Sequence, residues 1–203
     1  MPNGPTDARH SIGEEIKGVA MFVAAIWIVF FISSVVNLNA HFALVPRTVR
    51  GIPGIIAMPF LHGGLGHLIS NTTPLFILLT LLAGSRARSW WIVTSIILLS
   101  GILLWLFGTN GNSTMARAHV GASGLVFGLI TFLLVGGFLE KRLGPLLIGL
   151  LVGFFYGGTL LFGVLPIQQG VSWDGHLCGA IAGVLVAFLS TRTLRAVNGQ
   201  REL

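Results

Sequence analysis

The sequence predicts an all-α membrane protein: six transmembrane helices, with a partly embedded loop between the first two. Three observations carry that prediction. Of 203 residues, 54% are hydrophobic and only 9% charged, and the mean hydropathy is +0.89, a balance that no soluble class shows. Apolar stretches of about bilayer length recur along the chain, separated by short polar connections. The basic residues collect in alternate connections, as they do when a chain crosses a membrane repeatedly. The formal charge of +6 therefore speaks of topology before nucleic acid, since no basic cluster alternates with exposed aromatics. The single cysteine, Cys178, excludes an internal disulfide and the CxxC metal or redox patterns.

Residues 1–17 are polar, with Pro2, Pro5, Asp7, Glu14 and Glu15, and read as a cytoplasmic N-terminal tail, mobile or amphipathic. The uncharged run Gly18–Val36 is the first span; it exceeds a signal-peptide core and no small-x-small cleavage site follows it. Asn37–Gly66 holds Pro46, Arg47, Arg50, Pro53 and Pro59 around the apolar Ile52–Leu61. It is too long and too apolar for a solvated loop, so it is expected to lie partly embedded against the bundle or the interface. Further spans are expected at Leu65–Ala83, at Trp90–Phe107 with Trp90 and Trp91 as interfacial anchors, at Ala122–Leu139, at Leu146–Leu165 between Pro145 and Pro166, and at Gly175–Thr191. The core is thus residues 18–191, and 192–203 form a C-terminal tail.

Six spans put both termini on one side. Arg9, Lys17, Arg86, Arg88, Lys141, Arg142, Arg192, Arg195 and Arg201 share that side, against Arg47, Arg50 and Arg117 on the other. Nine against three predicts cytoplasmic termini. Spans two, four and six then all enter from the outer face, and each carries polar residues in its first turns: His67 and Asn71, Ser123, and Asp174 and His176.

Ser123 stands between Gly121 and Gly124 at the head of an apolar helix. Helix-head N–H groups lack intrahelical partners and face whatever sits there, so the position suits a nucleophile whose developing oxyanion needs donors. By themselves these residues also fit a helix-packing seam, because Gly121, Gly124 and Gly128 are small. The base that a nucleophile needs is available from His176. Gly179 and Gly183, four apart on one face, predict close packing of span six, with the Gly-rich head of span four as partner. His67 and Asn71, also four apart, share a face and can aim an imidazole and an amide at Ser123. None of the six acidic residues lies within a span. Asp174 sits two before His176, on another side of a helix, so it reads as an N-cap or first-turn charge and the pair as a Ser–His dyad. Cys178 also falls on another face and reads as packing. Without HExxH, an intramembrane carboxylate or a Cys pair, neither a metal nor another cofactor is expected.

Gly121-Ala-Ser-Gly124, His176 with Gly179 and Gly183, and Phe60-Leu-His-Gly-Gly-Leu-Gly-His-Leu-Ile-Ser-Asn71 together resemble the rhomboid intramembrane serine proteases. The resemblance implies a six-helix rhomboid-like bundle, with Ser123 as nucleophile and His176 as general base. It implies that His67, Asn71 and Gly121 belong to the oxyanion site and that Phe127 stacks on the base, where some members have Tyr. The segment between the first two spans would be the embedded loop, and span five with the loop after it the lateral gate and cap. Partners would be transmembrane segments of other proteins, cut towards the outer face, and the lipid bilayer. A bacterial plasma membrane is the expected location. One departure is that Pro53-Gly54 stand where many members carry Trp-Arg, which touches the loop's anchoring. The competing class is a proteolytically inactive rhomboid-like chaperone or adaptor that binds transmembrane helices; such relatives usually lack Ser123 or His176 counterparts. A proton-relay transporter is disfavoured by the lack of intramembrane carboxylates and of an inverted repeat.

Overall fold

The computed structural model describes residues 12–85, 89–109, 118–167 and 170–199, the last without side chains beyond 192. Of the residues behind the charge asymmetry, Arg9, Arg86, Arg88, Arg117, Arg195 and Arg201 lie outside the residues whose side chains are described. The elements are α1 (Ile12–Val36), α2 (Leu38–Phe42), α3 (Gly54–Ala57), α4 (Leu65–Ser85), α5 (Ser89–Phe107), α6 (Ser123–Leu139), α7 (Leu143–Gly163) and α8 (Trp173–Gly199). Five of these, α1, α4, α5, α7 and α8, are long and apolar enough to cross a bilayer. Helix α6 is the remaining expected span, the fourth in chain order. This is a multi-pass helical membrane protein.

Helix α6 is the centre. Twelve of its seventeen residues are buried, on every side, as a helix apolar all round requires. At 1.5 Å per residue it is roughly 26 Å long, shorter than the ~30 Å hydrocarbon layer, so at least one of its ends lies inside that layer. Its closest neighbour is α8. A Cβ placed on Gly179 would collide with the Gly124 carbonyl, and one on Gly183 with the Gly128 carbonyl. The expected small-residue seam is therefore backbone against backbone. Thr131 reinforces it by donating its hydroxyl to the Ala180 carbonyl, 2.8 Å across the seam.

Helices α1 and α7 are peripheral, with two buried residues each. Helix α1 starts six residues before the apolar run. Glu14 and Glu15 favour its N-terminal turn, Lys17 bonds Glu14 at 2.8 Å, and Glu15 takes the Ser89 hydroxyl. Helix α7 begins before Pro145, which a first helical turn tolerates. It packs through Gly149 against the Leu133 and Leu134 carbonyls, while Gly157 and Gly158 face open space.

The connection from α1 to α4 is folded rather than loose. Leu44 pairs with His119 by two backbone bonds of 2.8 and 3.1 Å. Arg47 donates to the Gly108 carbonyl at 2.8 Å and the Leu106 carbonyl at 3.2 Å, a cation on the C-terminal carbonyls of α5. Trp105 Nε1 returns a bond to the Thr48 carbonyl at 2.9 Å. Leu44, Met58 and Leu61 are buried, whereas Val49, Ile52 and Ile56 are exposed. An anchored loop with one apolar face turned outwards suits partial embedding in lipid.

The seam makes a direct prediction. Gly179→Ala and Gly183→Ala each force α8 off α6 and should destabilise the protein by about 1–3 kcal/mol. Gly157→Ala adds its methyl to open space and should be neutral or gain up to about 1 kcal/mol from helix propensity. Unfolding transitions in detergent micelles separate the two classes; equal behaviour of all three would refute a backbone-contact seam.

Candidate active site

The heads of α4, α6 and α8 surround one open cavity of about 860 Å³. Ser123, His176, His67, Asn71 and Phe127 all line it, so the residues that the sequence singled out on three separate helices converge.

Ser123 is the first residue of α6, with Ala122 as N-cap. The first N–H to find a helical acceptor is that of Val126, on the Ala122 carbonyl at 3.0 Å. The N–H groups of Ser123, Gly124 and Leu125 are the orphan donors of the helix head. Gly121 precedes them at φ +116°, in the region that suits glycine. A Cβ there would also overlap the His67 imidazole. The Gly121 N–H is already committed to the Met58 carbonyl at 3.0 Å, and its missing side chain leaves clearance for His67.

His176 is 8% exposed and held on two sides. Phe127 stacks on its ring, with centroids 4.1 Å apart and planes 9° apart. On the edge, Nδ1 lies 2.8 Å from the carbonyl of Gly163, in the last turn of α7. A carbonyl only accepts, so Nδ1 carries the proton, and the neutral imidazole has its lone pair on Nε2. Orientation therefore comes from a backbone carbonyl where a triad would use a carboxylate. Among the described residues no hydrogen bond joins Ser123 to His176. A Cβ on Gly163 would collide with the Phe127 ring, which confines that position to glycine. No sequence signal pointed to Gly163, because every residue has a carbonyl.

Asn71 is buried, and its amide nitrogen donates to the His67 carbonyl at 3.0 Å; the amide carries a second N–H. Asp174 is a first-turn residue of α8, but the N-cap is Ser172, whose hydroxyl accepts the Gly175 N–H at 3.3 Å. Cys178 is buried near Leu44, Met58 and Leu104. Among the described residues no cluster of three potential metal ligands occurs.

A second, apolar groove of about 430 Å³ lies between α4 and α7, lined by Ile77, Leu81, Leu151 and Phe155 among others. Tyr156 lines both spaces and stands where they approach each other.

A bundle of apolar helices whose heads bring Ser123, His176, His67 and Asn71 to one open cavity is a multi-pass membrane protein with polar groups gathered between its spans. The chain belongs to the rhomboid family: the family model described as Rhomboid domain matches residues 49–193. The uncharacterized protein Rv1337 of Mycobacterium tuberculosis is 45% identical over 149 residues, 71% of this chain and 61% of that protein. The uncharacterized protein ML1171 of Mycobacterium leprae is 42% identical over 153 residues, 73% of this chain and 60% of its own length. The putative rhomboid protein L523 of Acanthamoeba polyphaga mimivirus is 28% identical over 189 residues, 91% of this chain and 98% of that protein. The match with this chain thus spans about three-fifths of the mycobacterial relatives.

His62, in the connection before α4, is 2% exposed, and among the described residues neither ring nitrogen has a hydrogen-bond partner. Its ring meets that of His67 edge-on at 5.1 Å. Burial first, and the neighbouring His67 second, pull its pKa from 6.5 down to about 4, with the nearby Phe60 backbone offsetting part of this. The folded protein binds the His62 proton less readily than the unfolded chain does. The stability contributed by its neutral form is complete above pH 6.5 and is lost as pH falls from 6.5 towards 4. His62→Phe should therefore lose less of its unfolding midpoint than the wild type between pH 7.5 and 4.5; equal losses would exclude His62 as a source of the acid sensitivity.

Proposed function

We propose that this protein is an intramembrane serine endopeptidase that hydrolyses peptide bonds in or near transmembrane segments of other membrane proteins through Ser123 and His176. The observation that carries this reading is the orientation of His176. Its Nδ1 is bonded to the Gly163 carbonyl and its ring is stacked on Phe127, which leaves a basic Nε2 on the cavity that Ser123 also lines.

Ser123 Oγ attacks the scissile carbonyl carbon while His176 Nε2 takes the hydroxyl proton. The carbonyl oxygen, now an oxyanion, sits against the helix-head N–H groups of α6, the His67 imidazole and the second Asn71 amide proton. The C–N bond breaks as His176 returns its proton to the leaving amine, and water hydrolyses the acyl-enzyme by the same base. A substrate must be extended at the cut, because a helix hides its carbonyls in hydrogen bonds and shields them sterically. The apolar groove between α4 and α7 supports a lateral route from lipid, with α7 as the gate. The excess of basic residues on the opposite side supports cytoplasmic termini and a site facing the outer side.

The competing reading is a binder that holds transmembrane helices without cutting them. The lack of a Ser123–His176 hydrogen bond favours it, but such bonds are often long before substrate arrives.

Purified protein and a model transmembrane substrate in liposomes test the proposal. Ser123→Ala and His176→Ala should each abolish cleavage, and a chelator should leave the wild type unchanged. Asn71→Ala and His67→Ala should each lower kcat by about 100- to 1,000-fold, the range for loss of one oxyanion donor. Cleavage that survives in Ser123→Ala would sink the mechanism, and a wild type that binds substrate without cutting would establish the competing reading.

A further inference from the structure

Asp174 lies outside the machinery described above, yet its carboxylate accepts four hydrogen bonds beside the cavity. It is 4% exposed and His119 is 2% exposed. Its Oδ2 accepts the Thr109 N–H at 2.8 Å and the Thr109 hydroxyl at 2.6 Å. Its Oδ1 accepts the Ser172 hydroxyl and the Gly175 N–H, both at 3.0 Å. Four donors occupy the four acceptor positions of a carboxylate, which marks the group as ionised and leaves no lone pair for a metal.

The protons of the bridge follow. Ser172 gives its only proton to Asp174, so its oxygen accepts at its other contacts: the Gly175 N–H at 3.3 Å and His119 Nδ1 at 2.7 Å. His119 Nδ1 therefore carries a proton, and Asp174 Oδ1 lies 3.8 Å from it. One carboxylate thus joins three segments: the end of α5 through Thr109, the extended segment four residues before Ser123 through His119, and the α8 head two residues before His176. The glycine seam sets how close α6 and α8 approach. It runs inwards from Gly124 and Gly179 and leaves the segments leading into the two helix heads to be fixed by something else.

We propose that Asp174 is a positioning residue, which through Ser172 and His119 holds the Ser123 segment and the His176 helix head in one register. Asp174 faces another side of α8 from His176 and touches no reacting atom. It acts by placement, and a misplacement of about 1 Å costs on the order of 100-fold in rate. The inference rests on Ser123 and His176 being nucleophile and base.

The test uses the full chain in detergent. It reads three quantities: the phosphonylation rate of Ser123 by a fluorophosphonate, kcat and KM on a transmembrane substrate, and the unfolding transition. Asp174→Asn turns an amide towards N–H donors and should lower kcat and phosphonylation by about 100-fold, with KM changed by less than about threefold. Ser172→Ala breaks the bridge but leaves the carboxylate with Thr109 and Gly175, and should cost about tenfold. His119→Ala should lose a similar factor, and His119→Asn, which can still donate to Ser172, should recover most of it. Folded Ser172→Ala and His119→Ala proteins that are phosphonylated at the wild-type rate would overturn the proposal. So would losses that merely follow the unfolding transition, with His119→Asn no better than His119→Ala. A wild type that neither labels nor cleaves overturns the Ser123–His176 reading itself, and this proposal with it.

Discussion

The contact on which the rest of this structure depends is between the backbones of α6 and α8. Packed helices ordinarily keep their axes 8–10 Å apart because side chains fill the space between them. Here Gly124 and Gly128 meet Gly179 and Gly183 with no room for a methyl group. In lipid, where tails are as apolar as leucine, close packing and interhelical hydrogen bonds are what hold helices together, and Thr131 adds one across the same seam. The consequence is local to the cavity. Serine has a short side chain, so a residue at the head of α6 can share a small polar space with an imidazole on α8 only where the two backbones almost touch.

The parts of the fold that depend on length and small-residue spacing were legible in the sequence. Each expected span corresponds to a helix, and the seam glycines face each other as their four-residue spacing implied. Element ends were less legible, because they depend on partners far away in sequence. Helix α1 takes in Glu15, which finds Ser89, and α8 continues past Thr191 to Gly199. At the site, the residues with distinctive chemistry could be named, but the backbone that orients them could not. The Gly163 carbonyl leaves no mark on composition or pattern. The α8 cap is a different case: Ser172, placed ahead of an acidic first turn, was a readable N-cap signal, and the neighbouring Asp174 drew the assignment instead. What Asp174 does depends on Thr109 and His119, which are 65 and 55 residues away in the chain.

The connection between α1 and α4 shows one structural task met by different residues. Pro53 and Gly54 stand where the resemblance would place a tryptophan and an arginine. Pro53 caps the short α3, and Gly54 lets it press against the Leu44 backbone. Anchoring comes from elsewhere: Arg47 on the last carbonyls of α5 and Trp105 on the Thr48 carbonyl. An indole and a guanidinium still tie the loop to the bundle, supplied from other positions. Arg47 adopts φ +55° to do so, an uncommon backbone for a residue with a side chain, maintained here by its bonds at both ends.

Polar groups within a bilayer are costly unless they are partnered or wet, since an unsatisfied one forfeits about 1–3 kcal/mol. That cost sorts the polar residues of this bundle into two kinds. Asp174, Ser172, Thr131 and Nδ1 of His176 are satisfied by protein groups, and they hold the structure still. Among the described residues Ser123 and the second nitrogen of His176 have no protein hydrogen bond, and both residues border the cavity of about 860 Å³. A bundle selected for stability alone gains nothing by leaving a serine and a histidine short of partners at the same depth while saturating a carboxylate two residues away. The chemistry proposed for an incoming carbonyl would use this arrangement, fixed groups around the cavity and unpaired ones bordering it, with His62 a buried unpaired group away from it.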